Sequence, residues 1–528
     1  MENVYDKIIK KILLGDIKTK QELHREKIKL CKEKGIKKIP SDSEIIKNLP
    51  DTLADGEKEI LLSLLRKKPV RSLSGVTVVA VMTSPADCPH GRCVPCPGGV
   101  KRNTPQSYTG HEPAAMRAAM HNFDPYKQTR SRIDQLKAVG HPVDKIDFIV
   151  MGGTFTARDP FYQEWFIKRC FDGLNGSYSR DLKEAQKKNE TAESRCIGLT
   201  IETRPDWCRI QHIDKILEFG ATRIELGVQT TFDSLLYKMK RGHTVTDTVL
   251  ATKLAKDAGL KVCYHMMPGL PGSTMDMDKE SFRTIFEDPR FRPDMLKIYP
   301  TLVIEGSELY EQWRSGKYEP LTTEKAISLI ASIKSMVPEW IRIQRIERDV
   351  PATQIEAGIK ESNLRQLVKE RMEREGKRCR CIRCREVGHV YPDLDVNYNV
   401  ELVRRDYDAS DGKEVFLSLE DKELDVIFGY LRLRLPASPH REELQRERCT
   451  IIRELKVVGR EISIGKRAKR GIQHRGFGEK LIEEAERISK EEFDCNRIFV
   501  LSGIGVKGYY RKLGFKDDGV YLSKICTG

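Results

Sequence analysis

From Val76 onward, apolar runs of strand length recur along the chain: VTVVAVM, KIDFIVMGG, CIGLTIETRPD, TRIELGVQT, GLKVCYHMMPG, DMLKIYPTL and IRIQRI. Stretches with apolar residues at helical spacing, such as HIDKILEFG and TVLATKLAKDAG, stand between several of them. Buried-type strands alternating with helices predict an α/β fold: a parallel sheet with helices outside, closed or partly closed into a barrel. Sites in such folds gather at the strand C-terminal ends. The polar endings GGT, ETRPD, GVQT and HMMPG are therefore expected around one mouth.

The flanks have a different pattern. Residues 1–70 are rich in Lys, Glu, Ile and Leu, and both YDKIIKKILLG and EKEILLSLLRKK carry apolar residues at helical spacing. The intervening HREKIKLCKEKGIKKIP is a basic run, either a solvated helical face or a grip for nucleic acid. Residues 371–395 are basic and cysteine-dense with no helix or strand period, which predicts a linker between the barrel (71–370) and a last domain (396–528). In that last domain EVFLSLED, LDVIFGYLRLRL, CTIIRELKVVG and RIFVLSG have strand character. GEKLIEEAERISKEE is an amphipathic helix with Leu481, Ile482, Ala485 and Ile488 on one face.

Charge narrows the class of partner. The chain of 528 residues carries 93 Lys and Arg against 78 Asp and Glu, a net +15, which favours a polyanion such as nucleic acid. No run approaches a membrane span, and the first twenty residues have no hydrophobic signal core. These features predict a soluble, cytoplasmic protein. Of fourteen cysteines, six fall in two tight clusters, a pattern of metal ligation rather than of a disulfide framework.

The first cluster, CPHGRCVPCPGG, holds Cys88, Cys93 and Cys96. Three thiolates on a 4Fe–4S cluster leave one iron for an external ligand, and S-adenosylmethionine (SAM) can take that corner. The same cysteines alone are also compatible with zinc or with unpaired thiols. Context favours the iron–sulfur reading. The cluster follows the first strand, and Gly152 and Gly153 end the second, where they would expose backbone to the methionine amino group. Glu202 and Arg204 stand two apart at the end of the third, placed to hold ribose and carboxylate or else to pair with each other. MPGLPGST at 267–274 resembles an adenine-flanking turn. In that order the four features resemble the radical SAM superfamily, although its common cysteine spacing is three residues then two, and here the first gap is four.

A second motif lies near the C-terminus. QHRGFG, with Gln473, Gly476 and Gly478, immediately precedes the amphipathic helix and would turn backbone N–H groups toward an anion. It resembles the pyrophosphate turn of GNAT acetyltransferases, and it could equally be only a tight turn. ELKVVG just before it suits pairing with a pantetheine arm. GYYRKLGF at 508–515 supplies Tyr509 and Tyr510 as candidates to contact the coenzyme A sulfur or to donate a proton, unless they are core aromatics.

The combination resembles the family of the catalytic third subunit of Elongator in its archaeal form. The resemblance rests on QSYTGHEPAAMRA, VDKIDFIVMGGTF, IETRPDWC, GVQT, RGHTV, LKIYPTLV, ELVRRDY, IRELKVVG, HRGFG and GVKGYYRKLGF. From about residue 70 on, it implies a partial (β/α) radical SAM barrel followed by a GNAT-type α+β domain; the basic helical segment 1–70 is expected to bind tRNA from its charge. The implied activity is carboxymethylation at C5 of the tRNA wobble uridine, in the anticodon stem-loop. Acetyl-CoA is the carbon donor, a SAM-derived 5′-deoxyadenosyl radical is the hydrogen abstractor, and an electron donor reduces the cluster. It also implies Lys145 as an acetyl-CoA contact, further contacts at Glu454, Leu455, Lys456, Val457, Phe477, Gly478, Glu479 and Tyr510, and a form that works without other subunits. The alternatives are a protein lysine acetyltransferase with a structural radical domain, and a nonenzymatic tRNA scaffold. CRCIRC, with Cys379, Cys381 and Cys384, suits a structural zinc, with His389 or Cys449 as fourth ligand.

Overall fold

The computed structural model describes residues 3–50, 52–67, 75–391, 398–458 and 476–526. Four helices, Val4–Leu13, Lys20–Glu33, Asp42–Lys47 and Asp55–Leu65, form an N-terminal module. Its own core includes Ile8, Ile12, Leu23, Leu30, Ile45, Leu61 and Leu65. The first and last of these helices are the ones the apolar spacing predicts. The second lies in the basic run, where Leu23, Lys27, Leu30 and Cys31 make one buried stripe. A lysine on that stripe hides it from a hydropathy reading. The Lys27 ammonium is satisfied by the Pro40 carbonyl (3.0 Å) and Asp42 (2.5 Å).

Seven strands follow: β1 Val76–Met82, β2 Lys145–Met151, β3 Arg195–Thr203, β4 Ala221–Gln229, β5 Lys261–Met266, β6 Met295–Ile298 and β7 Arg342–Arg345. They lie side by side in chain order, every pair parallel, with β1 and β7 as the two edges. This is the open barrel the alternation predicts. Alternate residues (Ile146, Phe148, Val150; Ile224, Leu226, Val228; Val262, Tyr264, Met266) point outward into the core shared with the helices.

A second sheet comprises β8 Glu401–Ala409, β9 Gly412–Asp421, β10 Val426–Leu435, β11 Cys449–Val457, β12 Arg497–Val500, β13 Lys516–Asp518 and β14 Tyr521–Ile525. Its spatial order is β13-β14-β12-β11-β10-β9-β8. Only β11 and β12 run parallel, and they pair over four residues, Cys449–Ile452 against Arg497–Val500. Beyond that point β11 continues along β10 to Val457. The two parallel strands therefore splay apart, and among the described residues one backbone edge of Arg453–Val457 has no strand beside it. The helix Phe477–Arg487 follows and ends in a π turn, Ile488–Glu492.

The segment expected as a linker is more ordered than its composition implies. It begins in the last turn of the helix Leu364–Arg374 and contains two single turns, Ile382–Arg385 and Val387–Val390. Its charges are used inward. Arg385 is buried against Glu420 and Asp425, and Glu386 takes a two-pronged bond from Arg342 of β7 (2.9 and 3.0 Å).

The second sheet docks under the N-terminal ends of the barrel strands through fully buried charges. Arg453 donates to both oxygens of Asp294 (2.6 and 2.8 Å), to Glu414 (2.8 Å) and to the Leu260 carbonyl (2.9 Å). Arg434 bridges Asp257 (2.5 Å) and Glu414 (2.9 Å). Arg432 holds Glu454 (2.9 Å), and Lys256 lies 3.4 Å from both Asp294 and Glu414. Loop backbone also approaches closely, since a Cβ on Gly503 would lie 2.1 Å from the Ile197 carbonyl. Desolvating such a network is costly, and breaking one member leaves an uncompensated buried charge. Arg453→Met should therefore lower unfolding stability by about 3–5 kcal/mol in denaturant titration. Lys240→Met, which removes an exposed pair with Glu308, should cost less than about 1 kcal/mol.

Candidate active site

The loop after β1 brings Cys88, Cys93 and Cys96 to the top mouth. Cys93 accepts from His90 Nε2 or donates to it (3.0 Å) and lies 3.5 Å from Arg241 Nη1. The Ser107 N–H donates to Cys96 Sγ (3.1 Å), and Cys88 meets Thr154 Oγ1 at 3.6 Å. Burial pushes the Cys88 and Cys96 thiols up, so their ionisation calls for a cationic ligand. The three sulfurs are not within 4.8 Å of one another, whereas those of Cys379, Cys381 and Cys384 are. Zinc–thiolate bonds of about 2.3 Å put tetrahedral ligands roughly 3.8 Å apart. The tight set therefore has the spacing of ligands to a single ion, and the wide set does not.

Gly152 and Gly153 close the mouth beside these thiols at φ +124° and +88°. A Cβ on Gly152 would lie 2.2 Å from Thr83 Oγ1, and one on Gly153 would lie 3.9 Å from Cys88 Sγ. Glu202 and Arg204 both line the same space but do not pair. Glu202 accepts from the Tyr108 hydroxyl (3.1 Å), while Arg204 grips Asp206 through Nε and Nη2 (2.9 and 2.7 Å). The remaining Arg204 Nη1 is buried with no hydrogen-bond partner among the described residues, as a ligand-binding group would be.

At the opposite end, Gly476 begins the helix Phe477–Arg487 in the left-handed conformation (φ +77°), and among the described residues no side chain caps it. The first-turn N–H groups of Phe477, Gly478 and Glu479 are open to an anion. A Cβ on Gly478 would lie 2.6 Å from the Tyr509 hydroxyl, so a larger residue there would displace that ring. Tyr510 is buried, packs edge-on to Tyr509 (5.2 Å) and faces the splay. Burial pushes the Tyr509 hydroxyl up to about 12 and raises that of Tyr510 further, so both remain proton donors. Glu454 also accepts from Tyr430 (3.2 Å). Lys456 lies 3.4 Å from Glu386, and Leu455 and Val457 complete the unpaired edge through their backbone. Gln473 lies outside the described residues. Lys145 begins β2 at this same end but does not line the cavity. Its strand neighbour Arg195 packs under Gly505, at the start of the Tyr510 helix.

A single cavity of about 1160 Å³ runs from the cysteines through the barrel to Glu454, Lys456 and Tyr510. Its walls include polar and charged inward strand positions, Asp147, Arg223, Glu225, Lys261, His265 and Lys297, beside apolar ones such as Val78, Ile149 and Met295. Burial opposes ionisation of Glu225, but Lys297, His265 and Arg223 outweigh it and hold the carboxyl well below the usual range. Burial in the seam pushes the Lys261 ammonium down to about 8, against the pull of Glu454. Sequence reasoning missed these residues. Their signal was a period-2 recurrence of charge inside runs that otherwise look apolar.

The second cysteine set sits against β7, where the Ile382 N–H donates to the Ile341 carbonyl (3.0 Å). Neither expected fourth ligand joins it. His389 turns to Glu386 (3.3 Å) and Cys449 to the Leu444 carbonyl (3.5 Å). No helix among the described residues is long and apolar enough to cross a membrane.

Comparison with known proteins places these features together. The radical SAM superfamily model matches residues 84–285, a radical SAM C-terminal domain model matches 293–374, and the ELP3 N-terminal domain model matches 1–73. The chain is 55% identical over 495 residues to a protein of Methanocaldococcus jannaschii named tRNA uridine(34) acetyltransferase, covering 92% of this chain and 90% of that one. It is 44% identical over 533 residues to Elongator complex protein 3 of Drosophila melanogaster, covering 99% and 96%. The solved structure of archaeal Methanocaldococcus infernus Elp3, with residues 1–46 deleted, matches 86% of this chain and all of its own at 51% identity, with a TM-score of 0.76. The chain belongs to the Elongator complex protein 3 family, in its archaeal form.

Proposed function

We propose that this enzyme carboxymethylates C5 of the tRNA wobble uridine, with acetyl-CoA as carbon donor. The observation that carries the reading is the one cavity with the thiols at one end and the splayed strand and Tyr510 at the other. Cys88, Cys93 and Cys96 would hold a 4Fe–4S cluster that, when bound with SAM and reduced by an external electron donor, supplies a 5′-deoxyadenosyl radical.

The chain's own residues bind, orient and exclude water. At the top, the Gly152–Gly153 backbone and the free Arg204 Nη1 receive the methionine end of SAM, and Glu202 receives the ribose. At the bottom, the uncapped turn Gly476–Glu479 takes the pyrophosphate, and the edge Glu454–Val457 takes the pantetheine arm. The Tyr510 hydroxyl donates to the sulfur or carbonyl of the thioester, with Tyr509 behind it and Lys145 on the same side. The barrel walls then hold the acetyl group away from bulk water along the path to the cysteines. The wobble base enters at the top mouth after leaving its stack. Phosphate contacts from the N-terminal lysines and from YKQTRSR at 126–132 make binding salt-sensitive. Lysine side chains of other proteins are poor acceptors here, because the splay opens into the barrel rather than onto a surface groove. Cys379, Cys381 and Cys384 bind an architectural zinc that stiffens the junction between barrel and sheet.

The test is anaerobic reconstitution with isotopically labelled acetyl-CoA and a uridine-wobble tRNA, followed by mass spectrometry of the digested nucleosides. The native chain should yield labelled carboxymethyluridine, and an unlabelled or unmodified uridine would refute the reading. Cys93→Ala should yield none and should lose its reconstituted iron while tRNA affinity stays unchanged. Gly478→Val, which forces a methyl into the Tyr509 hydroxyl, should weaken acetyl-CoA binding roughly tenfold by calorimetry and leave iron content unaltered. Cys381→Ser should remove one zinc per chain by elemental analysis and lower the melting temperature, with the iron content retained.

A further inference from the structure

Beside the top mouth lies a second, smaller cavity of about 310 Å³, lined by Ser84, His121, Asn122, Phe123, Asp124, Lys127, Tyr162 and Trp165. Three of its walls are aromatic. Tyr162 and Trp165 sit on the helix Pro160–Asn175 with ring centroids 5.7 Å apart, and Phe123 faces them from the turn after the helix Pro113–Met120. Trp165 is 45% exposed, and the adjacent Phe161 and Met120 are 86% and 77% exposed, so apolar surface is presented rather than hidden.

The turn that forms the far wall is strained. Asn122 and Phe123 both hold positive φ (+49° and +58°), a conformation L residues seldom adopt and a bulky aromatic least of all. Two bonds fix it, Phe123 N–H to the Ala118 carbonyl (2.8 Å) and Asp124 N–H to the His121 carbonyl (3.0 Å). Together with Asn122 N–H to the Ala119 carbonyl (3.1 Å), the Phe123 bond forms the stop of the helix Pro113–Met120, at which asparagine tolerates the left-handed position. Here it sets the Asn122 amide and the Phe123 ring on one wall. Among the described residues no hydrogen bond occupies the Asn122 amide or the Lys127 ammonium.

The surroundings are cationic. Arg158 stacks over Tyr162 (4.0 Å to the ring centroid) and is held there by the Ser84 carbonyl and hydroxyl (2.8 and 3.0 Å). The single carboxylate of the wall, Asp124, is already used, capping Lys127 N–H (2.9 Å) and facing Arg169 (3.9 Å). Ser84 is the second residue past β1 and stands four before Cys88, so the pocket and the cysteine loop share one segment of chain. Aromatic faces with a free amide, rimmed by cations and low in net acid, are the chemistry that receives an unstacked base of single-stranded RNA.

We propose that this pocket binds a nucleobase of the RNA loop next to the one that enters the barrel, by stacking on Trp165 and hydrogen bonding to Asn122. The inference rests on the tRNA reading above and adds the anchor that would hold the loop open. The probe is a fluorescently labelled anticodon stem-loop hairpin, titrated with the full-length native protein and with Trp165→Ala and Trp165→Phe. Loss of one stacking surface should weaken binding of the alanine variant roughly 5- to 100-fold, with the phenylalanine variant close to native. Melting temperature and reconstituted iron should be the same in all three. Hairpins carrying one abasic loop position at a time should reveal a single position whose loss weakens native binding but leaves Trp165→Ala unaffected. Equal affinity of Trp165→Ala and native protein would overturn the pocket, as would abasic effects that add to the substitution at every position. Native protein that binds neither hairpin nor tRNA would overturn the functional reading and the pocket with it. Native protein that modifies tRNA while Trp165→Ala binds normally would overturn the pocket alone.

Discussion

Asp294 and Glu414, with no access to solvent, are held between Arg453, Arg434 and Lys256, and the geometry of the molecule depends on that contact. Hydrophobic contact between barrel and sheet is also extensive, since Ile451, Phe499, Leu501 and Tyr521 belong to the barrel's own core cluster. Apolar burial is non-directional, however, and would tolerate sliding or rotation. Guanidinium groups in two-pronged contact with carboxylates accept one orientation. The buried network therefore acts chiefly as a register. It sets the splay of β11 and β12 against the open bottom of the barrel, and the two halves enclose one space.

The walls of that space follow from strand periodicity. Each barrel strand sends one phase outward into apolar packing and the other inward to Asp147, Arg223, Glu225, His265 and Lys297. Inward charges compensate in part, as the Lys297 ammonium does for Glu225, which keeps that carboxylate ionised in the wall. A barrel filled with Val and Leu would have been a packed core. This one is a passage that joins the cysteine end to the Glu454–Tyr510 end.

Much of this was legible in the sequence. All seven barrel strands, the splayed strand ELKV and the amphipathic helix after Gly476 stand where the hydropathy pattern puts them, because local periodicity determines them. The edge strand β8 was not, since ELVRRDYDA carries its charges on an exposed face with Arg404 bound to Asp406. Nor could the sequence disclose the docking network, whose Arg453 and Asp294 are 159 residues apart and look like ordinary surface charges. Glu202 and Arg204 both line the cavity, and only the fold shows that Arg204 binds Asp206. The ordered junction at 371–391 was hidden because its helical turns are too short to show a period and bury single apolar residues, Ile382 and Val387, among buried ion pairs.

The central claim is that the two ends of the cavity work on one acetyl group inside a single chain. Mixing inactive Cys93→Ala protein with impaired Gly478→Val protein, under conditions that support native turnover, tests it most directly. If the acetyl group stays within the cavity, the mixture forms no more modified uridine than the two variants assayed separately. Recovery of product toward the native rate on mixing would mean that an activated acetyl species travels through solvent between chains, and would contradict the account.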